Sequence, residues 1–383
     1  MKTIDPGDEF LAVVSRIEAE RTDARPLIED LRRSGELLWE RELPESWRTA
    51  GFAMELLTSA SDVLEEDPRK SLVLAQLALT VVTSIPEGTY ARPLQAQLAG
   101  SAWKEIGTSH RYRSRYDAAL RAYDAAQRCF ESEASLSHDV AILDLNRAIV
   151  LSDWGRNEEA GTLLESAVPI LREFDDRRRV VQAQVIAGNI RQRQGRFAEA
   201  RSIYESALRD LDPDDLHTGA VLHLNLGRAE TEIGDFHAAA LHLQRARAVF
   251  SELSMPAEVA RTQWALASAL MRAGDFDRAV PILQRTRADF LDRSMPEEAG
   301  LAGLDLVETM IATSHPAEAR SLTERILEEF RSAELNARAI TALAYLRDLP
   351  PSARQSGLAV RHVRNYIEQL RHEPSRVFIP LPE

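Results

Sequence analysis

Residues 250–258 read Phe250-Ser-Glu-Leu-Ser-Met-Pro-Ala-Glu, and residues 290–298 read Phe290-Leu-Asp-Arg-Ser-Met-Pro-Glu-Glu. A third phenylalanine, Phe330, follows after a further forty residues. A fixed period of this length is typical of one helical unit stacked on copies of itself. Each copy buries its apolar face against its neighbours, so the sequence predicts a repeat array rather than a set of unrelated domains.

A second set of marks keeps the same register and falls where turns between helices are expected. These marks are Ser114, Gly155, Gly195, Gly234, Gly274 and Ser314, spaced 41, 40, 39, 40 and 40 residues apart. A glycine directly after a helix can adopt the left-handed conformation that ends many helices. Small and apolar residues then follow at helical spacing, as Ala239, Leu243 and Ala246 follow Gly234. The sequence therefore predicts at least six antiparallel helix pairs over about residues 90–345.

One unit carries a recognisable repeat pattern. It contains Trp103, Ile106, Gly107 and His110, and then Tyr116, Ala119, Tyr123 and Ala126. The pattern resembles the tetratricopeptide repeat, in which W-x2-L-G-x2-Y precedes a spaced alanine, aromatic and alanine. Repeats of about forty residues, longer than the usual length of about 34, are similar to those of kinesin light chains and of Rap-type quorum-sensing regulators. The resemblance implies an all-α, right-handed superhelical solenoid of antiparallel helix hairpins.

The amino-terminal stretch lacks the repeat register but has helical periodicity. Its apolar residues at helical spacing are Phe10, Val13, Val14 and Ile17, followed by Leu27, Leu31 and Leu38. A solenoid needs a cap where its core would otherwise open to solvent. We therefore expect residues 1–45 to form a helical cap that packs on the first repeats.

The other boundaries follow from proline positions and one apolar stripe. Asp67-Pro68 begins what resembles the second helix of a degenerate repeat, so the array is predicted to span residues 46–348. A pair of prolines at 350–351 stops the last helix of the array. Residues 349–383 are therefore predicted to form a capping helix and an extended tail. The apolar stripe of that helix consists of Val360, Val363 and Ile367.

The composition favours a helical protein of the cytoplasm. Hydrophobic residues make up 44% of the 383 residues, and glycine and proline number only 17 each. The net charge of −13 argues against general affinity for nucleic acid or an anionic membrane. The single cysteine, Cys129, excludes an intrachain disulfide and favours a reducing compartment. The sequence shows neither a signal-peptide pattern nor the roughly 20 apolar residues of a membrane span.

The sequence contains no pattern that predicts a catalytic residue, a cofactor or a metal site. It lacks H-E-x-x-H, G-x-S-x-G, a phosphate loop and a dinucleotide-binding fingerprint. His237 and His242 lie five residues apart and so do not share a helix face for metal chelation. Cys129 is interpreted as a small buried hydrophobe rather than a reactive thiol. The basic and aromatic residues 111–116 could stack on RNA, but a solvated or partner-facing turn is favoured.

The tetratricopeptide resemblance also implies candidate binding residues, because the first helix of each hairpin lines the concave surface in this fold. By register, the peptide- or partner-binding candidates are Asn146, Asn189, Arg193, Asn225, Arg228, Arg261 and Trp264. The same register includes Lys104, Arg111, Gln182 and Arg272, and the set contains no carboxylate. Asparagine amides can donate to and accept from a peptide backbone, and arginines suit a carboxylate or phosphate. Alternatively, these are ordinary exposed helix residues.

Two hypotheses for function follow, and the leading one is a non-enzymatic adaptor or regulator that binds a peptide or protein segment in the concave groove. The layout from Trp47-Arg-Thr to Tyr366-Ile-Glu-Gln-Leu-Arg also resembles uncharacterised bacterial tetratricopeptide proteins. That resemblance implies a regulatory or defence circuit, with a sigma or transcription factor or a caspase-like protease as partner. The alternative is a sensor whose superhelix changes pitch on binding a signalling peptide or small molecule. An enzyme, as a third possibility, has no supporting residue set.

Overall fold

The computed structural model describes residues 6–34, 43–349, 357–370, 373 and 376–381. Within these ranges the backbone forms seventeen α-helices and two short 3-10 helices, Glu45–Trp47 and Ala134–Leu136, and no β-strand. The α-helices are α1 (Pro6–Ser34), α2 (Ala50–Asp62), α3 (Pro68–Ser84), α4 (Arg92–Tyr112), α5 (Tyr116–Glu131), α6 (Ser137–Asp153), α7 (Asn157–Glu173), α8 (Arg177–Arg193), α9 (Phe197–Asp210), α10 (Leu216–Ile233), α11 (Phe236–Glu252), α12 (Pro256–Arg272), α13 (Phe276–Asp292), α14 (Pro296–Ala312), α15 (Pro316–Ser332), α16 (Ala337–Asp348) and α17 (Gly357–Leu370).

The chain divides into two compact units, residues 1–179 and residues 180–383, which are described separately. Within each unit, successive helices pack against one another as antiparallel hairpins, such as α4 with α5 and α10 with α11. The all-α tetratricopeptide fold predicted from the sequence is confirmed. In the part of the chain that the structure describes, no helix has the length and apolar character needed to cross a membrane.

The turn marks of the sequence are the points where the backbone becomes left-handed. All six, from Ser114 to Ser314, have φ between 53° and 95°. Three further left-handed residues, Ser254, Ser294 and Glu334, each lie four positions after one of the repeating phenylalanines. Each of them follows the second helix of a hairpin. The turn within a hairpin and the turn between hairpins therefore both contain a left-handed residue that ends the preceding helix.

Close helix packing explains why a glycine recurs in the first helix. A Cβ atom on Gly107 would lie 2.3 Å from the ring of Tyr123, and one on Gly188 would lie 2.3 Å from the ring of Tyr204. The expectation that Gly107 allows the second helix to approach closely is therefore confirmed. The phenylalanines of the repeat occupy the same interfaces and are fully buried: Phe250, Phe290 and Phe330.

The amino-terminal helix packs on α2, but with a different face from the one expected. Ile17, Ala24 and Ile28 are its buried residues, whereas Val13 and Val14 are each 40% exposed. The Glu20 carboxylate accepts hydrogen bonds from the Gly51 backbone at 3.0 Å and from the Tyr90 hydroxyl at 2.6 Å. These bonds and the small Ala24 bring α1 close to α2 along the face that contains Ile17 and Ile28. Leu27 is likewise 43% exposed, so the helical spacing of apolar residues was wrong as a guide to the packed face at Val13, Val14 and Leu27. The side chains of Phe10 and Leu38 lie outside the described residues.

The last helix, α17, packs against α14 and α16. Val360, Val363 and Ile367 are buried there, as their spacing predicts. The extended tail then lies on α17, because the ring of Phe378 contacts the rings of Tyr345, His362 and Tyr366 at centroid distances of 5.2, 5.4 and 4.9 Å. The His362 imidazole donates a hydrogen bond to the Ile379 carbonyl at 2.8 Å.

Candidate functional site

The first helices of residues 180–383 bring several of the candidate residues together. We call Asn189 of α8, Asn225 and Arg228 of α10, and Arg261 and Trp264 of α12 the polar face. The Asn225 amide donates a hydrogen bond to the Asn189 carbonyl oxygen at 3.2 Å, which links α8 to α10. Sequence register alone predicted that these two amides belong to one surface.

The Asn189 oxygen also accepts a hydrogen bond from the Tyr204 hydroxyl at 2.7 Å. Tyr204 belongs to the second helix of the same hairpin and is fully buried. Burial raises the pKa of Tyr204, so its hydroxyl stays protonated and serves as a donor. The Asn189 oxygen therefore accepts hydrogen bonds from two donors, Asn225 in the next hairpin and Tyr204 in the core of its own hairpin.

Asn225 differs from the expectation that the candidate residues face solvent. It is only 9% exposed, since its amide lies between α8 and α10. A buried amide with a hydrogen-bond partner contributes to folding, and its removal leaves the partner less well satisfied. Asn225 therefore stabilises the polar face, and the solvent-facing assignment is wrong for this residue.

Arg228 lies one helical turn beyond Asn225 and is half-buried. Burial lowers the pKa of its guanidinium, and the charge of Glu258 partly offsets that effect. Across the described residues, Arg228 has neither an ion pair within 4.0 Å nor a hydrogen-bond acceptor. A guanidinium that has lost part of its hydration without gaining an acceptor can bind an anionic group strongly.

The other two arginines of this region are already neutralised. Arg261 forms ion pairs with Glu258 and, at 3.7 Å, with Glu298. Arg272 pairs with Glu232 at 2.9 Å. The candidate list itself contains no carboxylate. The carboxylates of Glu258, Glu298 and Glu232 nevertheless pair with its arginines. Arg228 is thus the cation of the polar face with the most binding capacity left.

Trp264 anchors the carboxy-terminal helix. Its indole N–H donates a hydrogen bond to Asp305 at 2.6 Å, and the same carboxylate lies 2.9 Å from the Arg364 guanidinium of α17. Its ring meets Phe290 edge-on at 6.0 Å. The charge of Glu368, also on α17, raises the pKa of Arg228, so α17 borders the polar face.

The remaining candidates have different surroundings. Arg193, at the end of α8, is close enough to Tyr204 for its charge to oppose the rise in the pKa of that tyrosine. Asn146 belongs to residues 1–179, where its amide donates to the Ile142 carbonyl at 3.0 Å. In the same unit, Lys104 pairs with Glu105 at 3.3 Å and Arg111 with Asp153 at 3.8 Å.

One side-chain pair was missed by the sequence reasoning. His223 of α10 and His242 of α11 stack with a centroid distance of 5.1 Å, and their Nδ1 atoms lie 2.9 Å apart. Burial, and then the neighbouring His242, lowers the pKa of His223 to about 4. The two residues are 19 positions apart, and only the register of the hairpin could have paired them. No group of three possible metal ligands occurs in the described ranges, and Cys129 is a half-buried thiol whose pKa is raised by burial.

Two family models described as tetratricopeptide repeat match residues 179–252 and 224–298. Residues 179–298 therefore consist of tetratricopeptide repeats. Together the two matches span α8 to α13 and the start of α14, which include the three helices of the polar face, α8, α10 and α12. A search among curated proteins finds no match.

Several solved structures share the fold. Aspartyl phosphate phosphatase F from Bacillus subtilis is 15% identical, with a TM-score of 0.58 over 100% of this chain and 99% of that one. The Rap conjugation gene regulator of plasmid pLS20, in complex with the Phr* peptide, is 12% identical, with a TM-score of 0.56 over 79% and 80%. NprR in complex with its cognate peptide NprX is 13% identical, with a TM-score of 0.51 over 95% and 97%. At these identities the likeness describes the fold.

Proposed function

We propose that this tetratricopeptide protein is a non-enzymatic adaptor or regulator that binds a peptide or protein segment on the polar face. The observation that carries the proposal is Arg228, a half-buried guanidinium without an acceptor in the described chain, beside the linked amides of Asn189 and Asn225. Arginine binds a carboxylate through two parallel hydrogen bonds, and an amide can pair with a peptide backbone. The ligand is therefore a segment that presents an acidic side chain or a free carboxyl terminus to Arg228.

The peptides in two of the similar structures, Phr* and NprX, support this class of ligand. The phosphatase activity in the name of aspartyl phosphate phosphatase F is a property of that protein. The present sequence lacks H-E-x-x-H, G-x-S-x-G, a phosphate loop and a dinucleotide-binding fingerprint. A sigma or transcription factor, or a caspase-like protease, is the partner class implied by the resemblance to bacterial tetratricopeptide proteins. The proposal places the protein in the cytoplasm, as its cysteine content favours.

The test is a selection from a library of short random peptides displayed on their own messenger RNA. Wild-type protein is expected to enrich peptides with Asp, Glu or a free carboxyl terminus at one fixed position. The Arg228→Ala variant should bind the same peptides at least about tenfold more weakly, equivalent to about 1.4 kcal/mol. The control is Arg247→Ala, which removes an exposed arginine of α11.

Enrichment of the same acidic peptides by Arg228→Ala would contradict the proposal. Arg228 is preferable to Asn225 for this test, because loss of the buried Asn225 amide also lowers stability. The selected peptide then separates the two regulatory hypotheses. A change in the radius of gyration on peptide binding, measured by small-angle X-ray scattering, would favour the sensor, whereas binding without such a change would favour the adaptor.

A further inference from the structure

A groove of about 760 Å³ lies within the unit formed by residues 1–179. It runs between the second helices α3 and α5, and α4 forms its floor. Its apolar lining consists of Leu79, Trp103, Ile106, Ala118, Ala122 and Ala125. We call it the α3–α5 groove.

The wall formed by α5 suits a helical occupant. Ala118, Ala122 and Ala125 lie at spacings of four and three residues, so they share one face of α5. Small side chains along one face let the backbone of another helix come close. The lining residues of α5 extend from position 118 to position 128, about 15 Å at the helical rise of about 1.5 Å per residue. This length matches about three turns of a bound helix.

Positive charge borders the same wall. Arg121 and Arg128 line the α3–α5 groove, are exposed, and stand two helical turns apart on α5. Arg121 pairs with Asp117, whereas Arg128 has no ion-pair partner in the described part of the chain. This concentration of arginines occurs in a protein with a net charge of −13. The charge at the edge of the groove therefore favours an acidic segment over a basic one.

The floor of the groove adds an unsatisfied polar atom. His110 lines the groove, and its Nδ1 atom is buried without a hydrogen-bond partner among the residues described. Burial lowers the pKa of His110, and the charges of Arg113, Arg115 and Arg121 lower it further. Two of these arginines, Arg113 and Arg115, precede α5 and extend the positive charge beyond that helix.

We propose that the α3–α5 groove binds an amphipathic helix of a partner protein, with an apolar stripe against the alanines of α5 and acidic residues beside Arg121 and Arg128. Recognition of a helix in a groove depends on apolar anchors at helical spacing and on charges at the edges. Single-stranded RNA would also be attracted by the arginines, but it needs exposed aromatic rings on which bases stack. Among the lining residues, Trp103 has the large aromatic ring, and it is half-buried.

The probe is a fluorescein-labelled helical peptide of about sixteen residues, with leucine at positions i, i+3, i+4 and i+7 and glutamate on the flanks. Its binding to the full chain is measured by fluorescence anisotropy. We expect at least about tenfold weaker binding to the Arg121→Glu/Arg128→Glu variant. The Arg247→Glu/Arg285→Glu variant has the same change in net charge on exposed positions of α11 and α13 and should bind like wild type.

A second variant, Ala125→Trp, fills the groove without changing the charge and should also reduce binding, with circular dichroism confirming that the helices are retained. A matched peptide with lysine in place of glutamate should bind at least about tenfold more weakly than the acidic peptide. The proposal is overturned by an acidic peptide that does not bind, by equal binding of the two peptides, by unchanged binding to either groove variant, or by single-stranded RNA that competes the peptide away.

Discussion

The ion pair between Asp305 and Arg364 is expected to hold α17 on the first helices of its unit. Arg364→Met removes the cation but keeps much of the side-chain volume. The Asp305 side chain is 2% exposed, so its charge would remain buried with only neutral donors, the Trp264 indole and the Ser268 hydroxyl. Breaking a buried pair from one side costs about 3 to 5 kcal/mol. Because the Arg364 side chain is 25% exposed, we expect the lower value, about 3 kcal/mol.

Hydrogen exchange of α17 measures this effect directly. A loss of about 3 kcal/mol should accelerate exchange of the amides in residues 357–370 about a hundredfold, if they exchange by local opening. Without the cation, burial keeps the pKa of Asp305 above its unfolded value of about 3.9. The native variant then binds a proton more tightly than the unfolded chain, so its deficit should be smaller at acidic pH and grow as the pH rises.

Two further variants control the interpretation. Asp305→Asn combined with Arg364→Met removes the buried charge and should recover much of the stability. Arg320→Met breaks an exposed ion pair with Glu324 on α15 and should change stability by less than about 1 kcal/mol. Unchanged exchange of α17 in Arg364→Met, or an equal effect of Arg320→Met, would refute the reasoning.

Two other predictions concern backbone conformation and pH. Because Ser294 has a φ of 57°, Ser294→Gly should raise the midpoint of chemical denaturation by the equivalent of about 0.5 to 1 kcal/mol, whereas Ser321→Gly, within α15, should lower it. The pKa of His223 is about 4 in the folded protein and about 6.5 in an unfolded chain, so stability measured by denaturation should fall as the pH falls from about 6.5 to about 4. His223→Gln should weaken that pH dependence, whereas His237→Gln, at an exposed position, should not. If the two variants show the same dependence of stability on pH, the effect does not come from His223.

The fold was predictable because its signals are local. A left-handed residue such as Gly234 or Ser314 ends a helix through its own backbone, and the period of forty repeats that signal along the chain. Gly107 was equally informative, because it faces the ring of Tyr123 on the next helix. The face of α1 was less predictable, since periodicity shows that a helix has two sides without showing which side packs on α2.

The candidate site was only partly predictable because its chemistry depends on distant partners. The register placed Asn189 and Asn225 on one surface, but not the hydrogen bond that buries Asn225. The register selected Trp264 as a ligand-binding residue. In the structure the indole N–H of Trp264 donates a hydrogen bond to Asp305, forty-one positions away. The pairing of Asp305 with Arg364 involves a helix outside the repeat register, so no periodic pattern contains it.

The shared oxygen of Asn189 also constrains how a ligand can enter. A peptide amide that takes this acceptor must compete with the Tyr204 hydroxyl, which holds α8 to α9, or with the Asn225 amide, which holds α8 to α10. The ring of Tyr204 rests where Gly188 leaves no Cβ, so its position is set by the close fit of the same hairpin. A ligand bound to the Asn189 oxygen would thus weaken a hydrogen bond at one or both of two helix interfaces, α8 with α9 and α8 with α10. Binding at this surface atom would therefore change the packing of α8 against α9 and α10.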